Sequence, residues 1–527
     1  MKVNTADFDL RNMAINKAGE LSVRLGLQRY TNLFGQTTSP AATVFEFQAL
    51  GAFSVKSQFV DDICVYVLGR NWDDDNMYMF VYDENAEFRT RKQVIPLGRK
   101  QDISDVTHAV INGQLVVSGP EMPTLWGYTG SGLIVAKKQE SVNTAVETLD
   151  VPRGICVSWV DRCVIAKNET LFISDPYAPR TYTSGGIVTL PGFIYGLHVG
   201  INGDLIAVTA DGVYSLSSQA AAQGTNVVGS VQKLSSYRAS DYKCSVLTPD
   251  GLYGLTQRGI SRIDVDQAED IMLSDGTYVR SLTQMIDFPD YRVGKLHRTS
   301  RGVAVTVTDI DSDGDGDFTS GMCMVDMVSG MKSWWTMRGI WRVVDAMLSR
   351  EGDDFFVMQQ EDRGGANRSR SSIFTYETID GDWQDTNDGQ NAGRLNGYAS
   401  GIVASDLERS PVVRYVYASS SNGGGTMSCA VRGEKFKRNG TLQEYDVPAN
   451  GVVIGEDDWQ ENSDAPPAGQ GPFTSQTPRY RTCELKRLRF DFAKKTNDIS
   501  IEVGLQGAGS RLRILNMAVA GYGVNTA

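Results

Sequence analysis

The stretch IYGLHVGINGDLIAVTADGVYSL, residues 194–216, holds three short apolar runs, IYGLHV, LIAVT and VYSL, separated by INGD and ADG. Runs this short cannot complete an amphipathic helix, and their β-branched and aromatic residues favour strands. Asn-Gly and Asp-Gly tolerate the positive backbone angles of tight hairpin turns, so the stretch reads as three consecutive antiparallel strands.

The same phrase returns on both sides. It appears as VDDICVYVLG (60–69), THAVINGQLVVSG (107–119), GICVSWVDRCVIAKNETLFISDPYAPRTY (154–182), KCSVLTPDGLYGLTQRGISRID (243–264) and VVDAMLSREGDDFFVMQQ (343–360). Recurrence at roughly 40 to 50 residues, with three or four strands per unit, predicts a β-propeller of about six to eight blades over residues 51–383. No WD pair and no kelch double glycine recurs, so the period is structural rather than literal. A pair of β-sandwiches is the competing all-β reading, because it spaces its strands similarly. Residues 1–50 read as an N-terminal arm that closes the ring or reaches a neighbour. Residues 384–527 alternate in PVVRYVYAS, KRLRFDF and ISIEVGLQG between polar stretches such as GEDDWQENSDAPPAGQGPFTSQTP. They read as an additional C-terminal β-rich module with long loops.

At 527 residues, with 41% hydrophobic and 22% charged residues, the chain affords a sizeable core and is not a disordered polymer. Its 54 glycines suit many strands joined by many turns. A formal charge of −12 makes the mean field repel nucleic acid and anionic membranes. No apolar run is long enough to span a bilayer and the opening residues do not form a secretory signal, so a chain made in a cytoplasm without membrane insertion is expected. The seven scattered cysteines then read as reduced, buried thiols.

Catalytic signatures are sparse. The three histidines, His108, His198 and His297, lie far apart in strand-like runs and read as packed rather than as bases or metal ligands. No HExxH, CxxC, phosphate loop or nucleophile elbow occurs. A pair of carboxylates in a propeller pocket would suffice for a glycosidase, and Trp334 and Trp335 could stack on sugar rings, although paired tryptophans more often pack a core.

Two charged patterns stand out. In DIDSDGDGDF, residues 309–318, alternate aspartates would stack like charges along one strand face. Asp309, Asp311 and Asp313, with Gly314 for the turn and Asp317 further on, match the first half of a calcium loop, but Ser320 stands where an EF-hand needs glutamate. The alternatives are a calcium-holding hairpin tip and a solvated acidic turn. Near the C-terminus, Arg487, Arg489 and Asp491 alternate with Leu488, Phe490 and Phe492, placing the charges on one strand face. That face is either solvated or a charged contact with an acidic partner surface.

Three segments carry a family resemblance: RNMAINKAGELSVRLGLQRYTN (11–32), RCVIAKNETLFISDPYAPRTY (162–182) and RTCELKRLRFDFAKKTNDISIEVGLQGAG (481–509). The S-D-P turn at Ser174, Asp175 and Pro176 and the hairpin MVSGMKSWWTMRG (327–339) belong with them. Together they resemble the tail nozzle, or tail hub, proteins of short-tailed bacteriophages, also called tail tubular or packaged-DNA stabilisation proteins. The resemblance implies a non-enzymatic virion protein assembled in the host cytoplasm. It implies a homo-oligomer, a ring of about six copies, that continues and gates the DNA channel below portal and adaptor and carries fibres or a needle. Double-stranded DNA would pass through the lumen without sequence-specific binding, which an acidic wall favours. A carbohydrate-binding or carbohydrate-cleaving propeller of a tail-associated lectin or depolymerase is the rival reading.

Overall fold

Each of the quoted phrases folds as an antiparallel ladder whose turns follow from its own residues. In the computed structural model, Thr107–Ile111 pairs with Gln114–Ser118 through Asn112 and Gly113, both at positive φ (47° and 74°). That geometry is the type I′ hairpin that Asn-Gly favours. The structure describes the strands between Asp9 and Asn525 and, between residues 105 and 264, most of the connecting turns as well. No helix occurs among the described residues, and so none is long and apolar enough to cross a membrane.

The chain forms two compact units. One comprises residues 29–322 and 339–375, the other residues 1–28, 323–338 and 376–527. The arm, propeller and C-terminal segments read from the sequence are thus distributed over two bodies, and each body draws on more than one of them.

The first unit is a β-propeller. Five complete blades of four or five strands are described, spanning residues 47–99, 107–135, 148–189, 194–235 and 340–375. This corrects the expectation of six to eight. Between the fourth and fifth blades the chain supplies a three-stranded sheet over residues 245–262 and the pair Tyr291–Arg298 with Gly302–Asp309, which belongs to a larger, nine-stranded sheet. Neither stands as a separate four-stranded sheet, and a hairpin phrase in the sequence does not reveal which sheet it will join.

In each complete blade one strand lies innermost: Phe47–Lys56, Thr107–Ile111, Ile155–Trp159, Ile194–Val199 and Ile340–Leu348. Ser245–Thr248 and Tyr291–Arg298 take the corresponding places in the three-stranded sheet and the pair. Gln28–Asn32 adds the outermost strand to the last blade, so the beginning and end of the propeller sequence share one sheet.

Apolar faces of neighbouring sheets fill the space between them. Phe53, Tyr66 and Met79 meet Val106, Leu115 and Leu125 between the first and second blades. Ala109 and Val116 meet Cys163 and Ile165 between the second and third. Trp159 and Val164 pack on Leu205 and Leu216, and Val208 and Val213 on Leu252 and Ile263. Ala49, Val65 and Phe80 close the circle on Val344, Phe355 and Val357. Each fully buried large aliphatic or aromatic side chain contributes roughly 1.5–3 kcal/mol, so the inter-blade seams hold the ring together.

The second unit is also all β. One sheet orders Met13–Ile15, Leu21–Val23, Arg513–Asn525, Arg409–Ser421 and Leu485–Lys495, the last at its edge. In another run of strands, Asp9–Arg11 pairs in parallel with Met331–Arg338 and antiparallel with Asn396–Val403. Ile499–Gly507 and Gly425–Gly433 continue that ladder.

Candidate functional site

Inner strands of a propeller converge, so the side chains on their axial faces meet partners from blades that are distant in sequence. Here they bring together Asp105, Lys243, Lys295, His297 and Asp345, all largely buried. Asp105 precedes the inner strand of the second blade and Lys243 that of the three-stranded sheet; Lys295 and His297 lie on Tyr291–Arg298, and Asp345 on Ile340–Leu348. Lys295 Nζ donates to Asp105 Oδ2 at 2.6 Å across 190 residues of sequence. Lys243 Nζ lies 3.3 Å from Asp105 Oδ1 and also donates to Asp345 Oδ2. That same oxygen accepts the backbone N–H of Ala52 from the first blade at 3.0 Å. Asp345 Oδ1 faces His297 Nδ1 at 3.2 Å.

Two lysines against two aspartates leave the cluster neutral when His297 is neutral, which is the state burial favours. Burial lowers the His297 pKa against the opposing pull of Asp345. With Nδ1–H donated to Asp345, Nε2 carries the lone pair, and it is buried with no hydrogen-bond partner. Burial alone would raise the Asp345 pKa, but Lys243 and His297 outweigh it and hold the carboxyl well below the ordinary range. Burial opposes the charge on Lys243, and Asp345 and Asp105 more than restore it, raising its pKa. The cluster is therefore a set of fixed, mutually compensating charges. Asp345, held ionised, is not poised as a general acid.

Beside it, the inner strands line a cavity of about 570 Å³. Its polar lining is His108, Ser158, His198 and Arg298, set among valines and leucines that include Val157, Leu197 and Leu247; no carboxylate lines it among the described residues. Ser158 Oγ accepts from Val110 N–H at 2.8 Å and donates to Val110 C=O at 2.9 Å, spending its hydroxyl on the seam between the second and third blades. His198 Nε2 shares a 2.9 Å hydrogen bond with Ser245 Oγ. His108 stacks on Phe53, with ring centroids 4.5 Å apart. Burial lowers the pKa of both His108 and His198 to about 4, so both rings are neutral near pH 7.

All three histidines thus lie on inner strands, which separation in sequence hid. They were read as packed groups; His108 is packed against an aromatic ring, whereas His297 belongs to a charge network. The signal for that network was GKLHRTS, residues 294–300, where Lys295 and His297 alternate onto one face of an apolar strand.

The residues singled out in the sequence fall elsewhere. Asp309 ends the strand Gly302–Asp309 and the next strand begins at Thr319, while Asp311, Asp313 and Asp317 lie outside the described residues. Among the described residues no group of three or more His, Cys, Asp or Glu is placed to hold a metal ion. Arg487 and Arg489 sit on the edge strand Leu485–Lys495, opposite Ser419 and Tyr417. Trp335 is buried, so it packs rather than offering a platform for a sugar. The described cysteines, Cys64, Cys156, Cys163, Cys244 and Cys323, are buried free thiols, as expected.

No protein-family model matches the chain, and no curated protein matches it. Among solved structures it is similar to a fungal alcohol oxidase of the AA5 family, with 10% identity and a TM-score of 0.39, covering 91% of this chain and 98% of that one. It is also similar to the subtype N11 neuraminidase-like protein of the H18N11 strain A/flat-faced bat/Peru, with 11% identity and a TM-score of 0.27, covering 69% and 99%. A third is an exo-β-1,3-galactanase from Phanerochaete chrysosporium, with 7% identity and a TM-score of 0.25, covering 93% and 99%. At these scores none of them bears on the chemistry of this chain.

Proposed function

We propose that this protein is a structural, non-enzymatic component of a short-tailed phage tail, a nozzle or hub that assembles as a homo-oligomeric ring around a DNA channel. The observation that carries the reading is the locked axis of the propeller. Two lysines and two aspartates carried by four different segments neutralise one another there, with His297 bonded to Asp345, which makes a rigid building block and holds Asp345 as a fixed carboxylate. The three resembling segments and the acidic balance of the chain supply the rest: a polyanion slides past an acidic wall without being trapped. In this role the ring meets portal and adaptor and supports fibres or a needle, and the strand carrying Arg487 and Arg489, at the edge of its sheet among the described residues, offers its backbone to a neighbouring subunit.

The test is the mass of the full-length protein by light scattering at several concentrations, alone and with portal or adaptor. A closed ring of about six copies, formed alone or on those partners, is the expected result. A monomer indifferent to both would overturn the reading.

The axial cavity favours a second reading, a carbohydrate-binding propeller. A cavity lined without carboxylates among the described residues supports binding over cleavage, and a glycan array on the purified protein separates it from the tail role.

A further inference from the structure

The cavity's lining can be sorted by which polar groups are already committed. Ser158 is spent on the Val110 backbone, and His198 is paired with Ser245. Two groups remain. Arg298, the last residue of its inner strand, is exposed and makes no hydrogen bond or ion pair among the described residues. His108 presents a neutral imidazole held flat against Phe53, with no hydrogen bond to either nitrogen among the described residues. A guanidinium without an ion-pair partner among the described residues stands out in a chain of net charge −12, in which carboxylates outnumber cations by 63 to 51.

We propose that the axial cavity is a binding site for a small organic monoanion, a carboxylate or phosphate-type head group on an apolar body. Arg298 takes the anion through its planar fork of donors, and the neutral His108 adds one N–H without adding a second charge. Val157, Leu197 and Leu247 receive the apolar body. Arg298 is the one charged residue of the lining among the described residues, which sets the preference for one negative charge, and no lining carboxylate among them repels it. Gly196 keeps the neighbouring wall in place, since a Cβ there would come 2.6 Å from Ser245 Oγ. The inference stands apart from both the tail and the carbohydrate readings, because it concerns the head group and needs no ring and no sugar.

The experiment is calorimetric titration of the full chain with benzoate, the phosphodiester methyl phenyl phosphate, which also carries one negative charge, and the neutral isostere benzamide, repeated on Arg298→Gln, with the His108 imidazole C–H resonances followed by NMR. Benzoate or methyl phenyl phosphate should bind at least tenfold more tightly than benzamide and shift the His108 resonances. Whichever of the two binds better identifies the head group as carboxylate or phosphate. Arg298→Gln, an exposed substitution, should keep the fold and weaken anion binding about 10- to 100-fold, the worth of a charge-assisted hydrogen bond. Equal binding of benzamide and the anions, an unaffected Arg298→Gln variant, an unmoved His108 signal, or no binding of either anion would each overturn the proposal.

Discussion

Replacing Asp345 by Asn tests whether the axial charges act as one compensated set. The substitution keeps the side-chain shape and removes one negative charge, so Lys243 and Lys295 are left facing Asp105 alone. Asp345 accepts from Lys243, His297 and the Ala52 backbone and is 6% exposed, so water cannot take over the missing charge. Removing one partner of a buried ion pair costs about 3–5 kcal/mol, because the remaining charge is stranded. For a body of this size, whose unfolding entropy is roughly 0.7 kcal/mol/K, that corresponds to a fall in Tm of roughly 4–7 °C. The double variant Asp345→Asn with Lys243→Met restores neutrality, since Lys295 and Asp105 remain paired at 2.6 Å. It should recover more than half of the loss, giving a coupling of about 2–3 kcal/mol in a double-mutant cycle. Urea and thermal unfolding of the full chain, followed through the buried tryptophans, read both quantities. A single variant within about 0.5 kcal/mol of wild type, the usual range for a surface change, or strictly additive effects in the cycle, would refute the picture of a closed charge network.

Acidification should weaken the propeller before its carboxylates protonate. His108 and His198 titrate at about 4 when folded and near 6.5 when unfolded, so below about pH 6.5 the unfolded chain binds protons that the folded one does not, and stability falls as pH drops toward 4. Each contributes about 2 kcal/mol after allowance for partial exposure, and His108→Gln should flatten the slope of Tm against pH over that window. Gly196→Ala should destabilise by about 1–3 kcal/mol through overpacking, because the new methyl group meets Ser245 Oγ and displaces its bond to His198; a Tm equal to wild type would show that the wall yields freely. Calcium titration separates the two readings of the acidic stretch. A rise in Tm that is lost in Asp311→Asn with Asp313→Asn marks a site, and an unchanged Tm in excess calcium marks a solvated turn.

How much of this was legible in the sequence depends on the range over which the signal acts. The hairpins were legible because a turn is written in adjacent residues: Asn112 and Gly113 adopt the positive φ values that their identities allow. The alternation in VDDICVYVLG likewise shows which residues can share a face. The number of complete blades was not legible, because joining another strand to a hairpin depends on pairing between segments with no local mark of partnership. The same holds for the site. Asp105 and Lys295 touch across 190 residues; DISDV looks like an ordinary solvated segment, and GKLHR shows only that Lys295 and His297 share a strand face, until a ring brings them together. Arg298 was invisible for the opposite reason: what distinguishes it is the absence of a partner, and an absence leaves no pattern.

The position of the charge network has a physical reason within the propeller. Hydrophobic seams join each sheet to its neighbour and are tolerant, since one apolar face packs on another with modest loss when they are mismatched. They specify poorly which strand is last. Charges on the axis discriminate more sharply, because a buried Lys or Asp without its partner costs several kcal/mol. Asp345 contacts the first blade through Ala52, the three-stranded sheet through Lys243 and the following ladder through His297. A ring closed with a strand missing or out of register would leave at least one of these contacts unmade and a charge stranded. The outer strand Gln28–Asn32 joins the last blade from one end of the chain, and Asp345 secures that same blade from the axis. Closure is therefore checked twice, by backbone pairing at the rim and by charge at the centre.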